Sequence, residues 1–526
     1  MKSLIILIII CLFLAGCNKD SSTGPGSNDP PDELPDDPPE DIYDDGSDLS
    51  IRYIQRLPEI DYVWNSSDPA VEGWPAVGQE VIWKTIVVNW ASHQRDSVTY
   101  SWFLDGIEVD HGAIDIPAGG EISIELTWNW TFERHELTFI IDPMDNFEEE
   151  EEQNNELTIF TDAITAGFYI EQSVYDYYKG HYSLNGIETF DDWLHKRINI
   201  LNDMFADAVY GTSPNGVLDR IRIDKITIVS DGALPLVYSN EIPAEDYSAG
   251  THPNLADLSV DLQWGFTAGE VSNNLKKTYM NGNNIFDIDG ATLLHELGHA
   301  RYLTDVYAFR VWHGIYSDSV LIKENGELVA GSSFMPGSSM LYTSPLGTVV
   351  GLLLYTTDIE GLMNHTYSFV DSHSAAALNL IAGHRAVCGN YNEPCNIGCY
   401  LNDLPSENRL TLCARDGTIL ANADVKIFQA EGVPGAGYFY ARRIDGIADL
   451  QFTANDNGQV LLGHNPFSGG QIQQDWDVSN ATAVIRVEYE GKVGYNFLDV
   501  SKFNLAYWAG HTELADYEMK FKLVEL

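Results

Sequence analysis

The sequence predicts a multidomain chain in which an α+β domain lies between two all-β sandwiches. Three observations predict it. The chain has 526 residues, more than one core organises, since single cores stop growing near roughly 250–300 residues. Short strand-like runs separated by turn residues fill 51–165 and again 405–526, the pattern of sandwiches. Between them, 166–404 mixes helical spacing with alternating runs. With 44% hydrophobic residues, 12 Trp, 27 Tyr and 21 Phe, the chain is too apolar to be disordered. Its 29 basic residues against 78 acids give a net charge of −49. That balance excludes the basic footprint of a nucleic-acid binder and disfavours docking to anionic lipid by charge alone.

The amino terminus carries its own signal. Met1-Lys2 precede an apolar run from Leu4 to Leu14, the layout of a signal peptide and too short for a comfortable membrane span. The run ends in Leu14-Ala15-Gly16-Cys17, which resembles the lipobox of bacterial lipoproteins. The resemblance implies that residues 1–16 are removed and that Cys17 carries lipid and anchors the chain to a membrane. It places the protein in the cell envelope, as an outer-membrane lipoprotein facing the periplasm or the exterior. Residues 17–50 then read as a tether. From 18 to 50 they hold one lysine against eleven acids, with Pro, Ser and Gly between them, and such a segment buries no core.

The first sandwich is expected over 51–165. Val81–Trp90, Ser97–Leu104, Glu121–Trp128 and His135–Ile141 are its strands, with a turn at Asp105-Gly106. The stretch Ile141-Asp142-Pro143, Glu148–Glu152 and Asn154-Asn155-Glu156-Leu157-Thr158-Ile159 resembles the end of a CARDB-type immunoglobulin-like domain. The five consecutive glutamates read as a solvated loop tip. Calcium is a conceivable ligand there, but no specific motif supports it.

In the middle domain, Leu194, Ile198, Leu201 and Phe205 share a helical face over Phe190–Phe205. Thr189 is placed to cap that helix, with Asp192 three residues on. Ile221–Val229 alternates as a strand. Leu258–Phe266 is a second strand and a candidate substrate-edge strand. Phe286–Tyr307 returns to helical spacing, Val320–Val329 reads as a hairpin around Asn325-Gly326, and Ser372–Arg385 is an Ala-rich helix candidate. From 405 onward, Leu410-Thr411-Leu412, Ala423–Phe428, Asn455–Leu462 and Ala483–Tyr489 are strand-like. This last unit is similar to the immunoglobulin- or transthyretin-like modules that trail many exported bacterial enzymes.

The chemistry-bearing motif is His295-Glu296-Leu297-Gly298-His299. Residues i and i+4 share a helix face, so both imidazoles reach one metal ion, and Glu296 lies where it can hold a water. Leu293, Leu294 and Leu297 give the helix an apolar side. The bland alternative is a surface helix with two solvated histidines. The continuation Ala300-Arg301-Tyr302-Leu303-Thr304-Asp305 is similar to the metzincin pattern H-E-x-x-H-x-x-G-x-x-H/D, and Gly361-Leu362-Met363-Asn364-His365 resembles the metzincin Met-turn. The resemblance implies an α+β metzincin-like catalytic domain between two all-β immunoglobulin-like sandwiches. It implies a zinc endopeptidase acting on protein or peptide, with His295, His299 and Asp305 as metal ligands and Met363 beneath the metal. Glu296 would be the general base for a metal-activated water. Two positions depart from the family. Its turn-making glycine is Tyr302 here, a residue disfavoured at positive φ, and the tyrosine often found two residues after the Met is His365. His313 competes with Asp305 as third ligand. His373 and His384 read as structural or surface residues. Two other readings stay open: a non-catalytic adhesion or scaffold protein with a degenerate peptidase domain, and a zinc hydrolase acting on a non-peptide bond.

Four cysteines remain after Cys11 leaves with the signal and Cys17 takes lipid: Cys388, Cys395, Cys399 and Cys413. Their clustering suits either a zinc knuckle or two disulfides, and export favours disulfides. The pairing stays open.

Overall fold

The computed structural model describes residues 48–59, 73–149, 151–181, 189–233, 259–266, 291–301, 303, 306, 310–314, 320–322, 328–330, 340–343, 349–356, 359–364, 368–385, 400, 402–429, 447–467 and 481–525. The expected signal peptide, Cys17 and most of the tether lie outside them.

Seven strands open the described chain: β1 (Leu49–Leu57), β2 (Glu80–Asn89), β3 (Arg95–Leu104), β4 (Ile107–Ile116), β5 (Glu121–Asn129), β6 (Glu136–Ile141) and β7 (Glu156–Phe160). They form two sheets, β1-β2-β5 and β4-β3-β6-β7, closed over Trp83, Val87, Trp102, Phe139 and Ile141. The amino-terminal unit is therefore an all-β sandwich. Its β3–β4 hairpin closes at Leu104↔Ile107, with Asp105 at φ 51° and Gly106 at φ 76°, the positive pair that two-residue hairpins require.

Two expectations need correction here. The strand region begins inside the expected tether, because Asp48, Leu49 and Ser50 are buried and β1 pairs along β2 from Leu49. Nor is the acidic loop only a solvated tip. Glu149 turns inward, and its carboxylate accepts from Leu49 N at 2.5 Å and from Asn155 Nδ2 at 3.2 Å. An otherwise unmatched edge amide is satisfied in this way.

The middle unit starts with β8 (Ile164–Glu171), helices α1 (Gln172–His181) and α2 (Phe190–Asp207), and strands β9 (Ile221–Val229) and β10 (Leu262–Phe266). β8 lies between β10 and β9, parallel to both. A parallel pair needs a covered crossover, which α1 and α2 provide between β8 and β9, and β8 is buried along nearly its whole length. Thr189 caps α2 as expected, accepting from Asp192 N at 3.1 Å while its hydroxyl donates to Asp192 Oδ2 at 2.6 Å. Helix α3 (Ala291–Ala300) follows, then β11 (Arg310–Gly314), β12 (Val320–Ile322), β13 (Leu328–Ala330), β14 (Met340–Thr343), β15 (Val349–Thr356) and helix α4 (Ser372–Asn379). β12 and β13 pair antiparallel, as the hairpin reading requires.

The chain ends in β16 (Glu407–Ala414), β17 (Asp424–Gln429), β18 (Leu450–Thr453), β19 (Gln459–Leu461), β20 (Thr482–Tyr489), β21 (Lys492–Asp499), helix α5 (Ser501–Trp508), β22 (Leu514–Phe521) and β23 (Val524–Glu525). These strands form two sheets, β19-β16-β22 and β18-β17-β20-β21-β23. Their apolar interior is continuous with that of the middle unit. Helix α5 was not legible in the sequence. Its Asn504 donates to Tyr400 O and Asp403 O at 2.8 and 2.9 Å and meets His373 of α4 at 3.2 Å. His373 is thus a buried structural residue at the junction. Cys413 corrects the disulfide expectation: it is a free, buried thiol on β16, inside the last sandwich, and burial pushes its pKa up. Cys388, Cys395 and Cys399 lie outside the described residues. No helix among the described residues is long and apolar enough to cross a membrane.

The first sandwich docks on the middle unit through β1. Arg52 donates to Asp191 Oδ2 at 2.9 Å and to Glu121 Oε2 at 2.6 Å, and His195 Nε2 donates to Arg52 O at 2.7 Å. Asp191 is fully buried. Arg52→Ala should therefore cost about 3–5 kcal/mol, the usual loss when one member of a buried ion pair is removed. Urea denaturation would measure it, and Arg52→Met combined with Asp191→Leu should recover most of the loss. A second outcome concerns pH. Burial pushes the Glu149 carboxyl from 4.5 up to about 7. Between those values the folded chain keeps a proton that the unfolded chain has lost, so this group's contribution to stability falls as pH rises through the window. Melting curves of Glu149→Gln should lack that fall.

Candidate metal centre

Helix α3 carries the His-Glu-Leu-Gly-His motif, and its apolar side faces inward: Leu293, Leu294 and Leu297 are buried. His295 is buried as well. Its Nδ1 lies 2.9 Å from Leu362 O. A carbonyl only accepts, so Nδ1 carries the proton and Nε2 carries the lone pair. Leu362 belongs to a single 3-10 turn, Leu362–Asn364. That turn is tied at its base, where Leu362 N donates to Phe369 O and Asn364 N to Gly361 O, both at 2.8 Å.

The helix and the turn meet at Gly298. A Cβ built there would stand 2.8 Å from Met363 Sδ and 3.3 Å from Leu303 Cδ1. Met363 is completely buried. Glycine is thus the residue that lets the sulfur sit against the helix backbone. Gly361 plays a similar part on the other side, since a Cβ there would come within 2.9 Å of Asp371 N. Asp371 in turn caps α4, accepting from His373 N and Ser374 N at 2.9 Å each.

At the end of α3, Leu303 N donates to Gly298 O at 3.1 Å, which satisfies one of the helix's last carbonyls, and the buried Leu303 side chain packs beside Gly298. Position 302 itself lies outside the described residues. Arg301 then locks the helix end. It is 2% exposed and donates to Asp219 Oδ2 at 2.5 Å and to His384 O at 3.2 Å, while Asp219 Oδ1 accepts from Gly383 N at 2.8 Å. Sequence reasoning missed Arg301 and Asp219. The available signal was a lone basic residue in a buried helix's last turn.

Of the sequence-predicted site residues, the structure brings together His295 and Met363, through Leu362 and Gly298. The side chains of Glu296 and His299, and Asp305 altogether, lie outside the described residues, and none of the described residues form a group of three His, Cys, Asp or Glu fit for a metal. His313 falls on β11, opposite Leu352 of β15. What the described part offers a metal is a buried imidazole whose second nitrogen is held by a carbonyl. Metal-ligating histidines are oriented by such a partner.

No protein-family model matches the chain, and no curated protein matches it. Solved structures similar to parts of it include a CARDB domain from Pyrococcus furiosus, described as a complex with di-metal ions. It shares 15% identity over 22% of this chain and 92% of that chain, with a TM-score of 0.18. A β-galacturonidase from Eisenbergiella tayi matches 22% of this chain and 18% of that chain at 10% identity and TM-score 0.14. An exo-chitosanase from Amycolatopsis orientalis covers 85% of this chain and 64% of that chain at 9% identity and TM-score 0.15. Likeness at this level carries no activity across.

Gly298→Ala tests the close approach. It should lower the melting temperature, by an amount corresponding to about 1–3 kcal/mol for overpacking, and the loss should shrink when Met363 is shortened to Ala in the same chain.

Proposed function

We propose that the chain is an exported, lipid-anchored, zinc-dependent endopeptidase of metzincin-like type. Its amino-terminal sandwich reads as a CARDB-type module, and Cys17 as the lipidated residue that holds the protein at the cell envelope. The observation that carries the catalytic reading is the packing of Met363 under Gly298, with the His295 imidazole held by the neighbouring Leu362 carbonyl. A Met-bearing turn directly beneath the H-E-x-x-H helix is what the resemblance requires, and nothing about a solvated surface helix would demand it.

In this reading His295, His299 and Asp305 hold the metal. Bound zinc would supply a Lewis acid that polarises the scissile carbonyl and makes a water acidic. Leu362 O fixes the His295 tautomer, so that Nε2 presents its lone pair without reorganisation. Glu296 takes the proton from the attacking water on a carboxylate oxygen and delivers it to the leaving amine. The Arg301–Asp219 pair holds the chain leaving α3, on which Asp305 follows.

Metal analysis and casein cleavage, with and without chelator, test this proposal. Glu296→Gln should keep zinc and lose proteolysis by roughly 100-fold or more, while His295→Ala should lose zinc too. Full activity in Glu296→Gln would sink the mechanism. Zinc without proteolysis would point to a non-peptide substrate, and no zinc at all would point to a scaffold.

A further inference from the structure

Arg56 lies on β1, opposite Trp83 of β2, and is only 5% exposed. Its guanidinium carbon sits 4.8 Å from the centre of the Trp130 ring and 5.5 Å from that of Trp74. The two indoles are 6.0 Å apart and 21° from parallel. Arg56 Nε and Nη1 are sealed from solvent and donate to nothing, and the same holds for Nε1 of Trp74 and Nε1 of Trp130. Four buried donors thus lie in one small region with no acceptor for any of them among the described residues. Aromatic faces stabilise a cation, but they do not satisfy N–H groups in the plane of the guanidinium or of the indoles. Unmatched buried donors are uncommon, and an unmatched buried charge is costly.

The neighbouring charges do not fill the gap. Arg56 feels Arg222, Asp224, Arg385 and Asp261. Arg222 Nε is 2.7 Å from Asp224 Oδ1, and Arg385 Nε is paired with Asp261. Asp261 also accepts from Thr165 N and Oγ1, both at 2.8 Å. Both carboxylates are committed elsewhere, so among these described groups three guanidiniums face two acids and one positive charge is left over. That leftover sits inside a chain whose net charge is −49, where a free cation on the surface would readily find a carboxylate.

We propose that this region, between the first sandwich and the middle unit, is a binding site for a small oxyanion: a carboxylate, or inorganic phosphate or sulfate. Arg56 supplies the charge and a planar fork of donors. Trp74 and Trp130 add their indole N–H groups. Trp74 is half-buried, the most exposed of the three side chains. A bound anion offsets the excess of three arginines over two acids among these described groups.

Titration of the full chain with phosphate, sulfate or acetate, at constant ionic strength against chloride, tests the site by calorimetry and thermal shift. At least one of these oxyanions should bind saturably and raise the melting temperature. Preference for acetate would indicate a planar carboxylate ligand, and preference for phosphate or sulfate a tetrahedral one. Arg56→Gln should bind at least about tenfold more weakly and, without anion, should be as stable as the parent chain or more so, because it removes an unmatched buried charge. Trp74→Phe, at a half-buried position with less risk to folding, should weaken binding several-fold. No saturable binding of any of the three anions, or equal affinity in all variants, would overturn the proposal, the latter marking an ordinary salt effect.

Discussion

The candidate site depends on one contact in which nothing can be added: the face of α3 at Gly298 against the sulfur of Met363. It brings together two segments that are distant in the chain, and His295 reaches Leu362 O across the 67 positions between them. A side chain at 298 would have to displace the Met363 thioether from the helix face. The two ends of the arrangement are held separately. Asp371 binds one side through Gly361 and the α4 cap, and Arg301 with Asp219 holds the other.

The rest of the fold supplies a rigid frame by an economical use of cations. The chain has 29 basic residues, and several of them are buried at junctions rather than spread on the surface. Arg52 joins β1 to α2, Arg222 accompanies Asp224 and donates to Thr161 O at 2.8 Å where the first sandwich ends, Arg301 closes α3, and Arg385 pairs with Asp261. Each guanidinium joins segments distant in sequence, which planar multidentate donors do well. The surface is correspondingly acidic. The last sandwich is joined differently, by a shared apolar core and by His373, Tyr400, Asn504 and Trp508.

Local signals in the sequence are legible where they have a local cause. Thr189 and Asp192 announced a helix start because a cap needs only residues three apart. Asp105-Gly106 announced a hairpin because only certain residues accept two positive φ values. Alternation over Ile221–Val229 matched a strand of the same extent. The acidic loop departs from its composition for the opposite reason. Composition said that five glutamates prefer water, but the partner of Glu149 is the amide of Leu49, at the start of a strand that lies far away in the chain.

By itself the sequence determined the modular plan, the anionic surface, the sandwich character of the first unit and the spacing that puts two histidines on one helical face. Those properties follow from periodicity, composition and short-range sterics. Only the tertiary structure decided that Met363 lies under Gly298, that Arg301 finds Asp219, that Cys413 stays a thiol, and that Arg56 is buried among indoles with no acceptor. These facts depend on which surfaces meet when segments tens of residues apart pack together. A pattern of single residues carries no distance between them, whereas the missing Cβ of one glycine against one sulfur is a statement about distance alone.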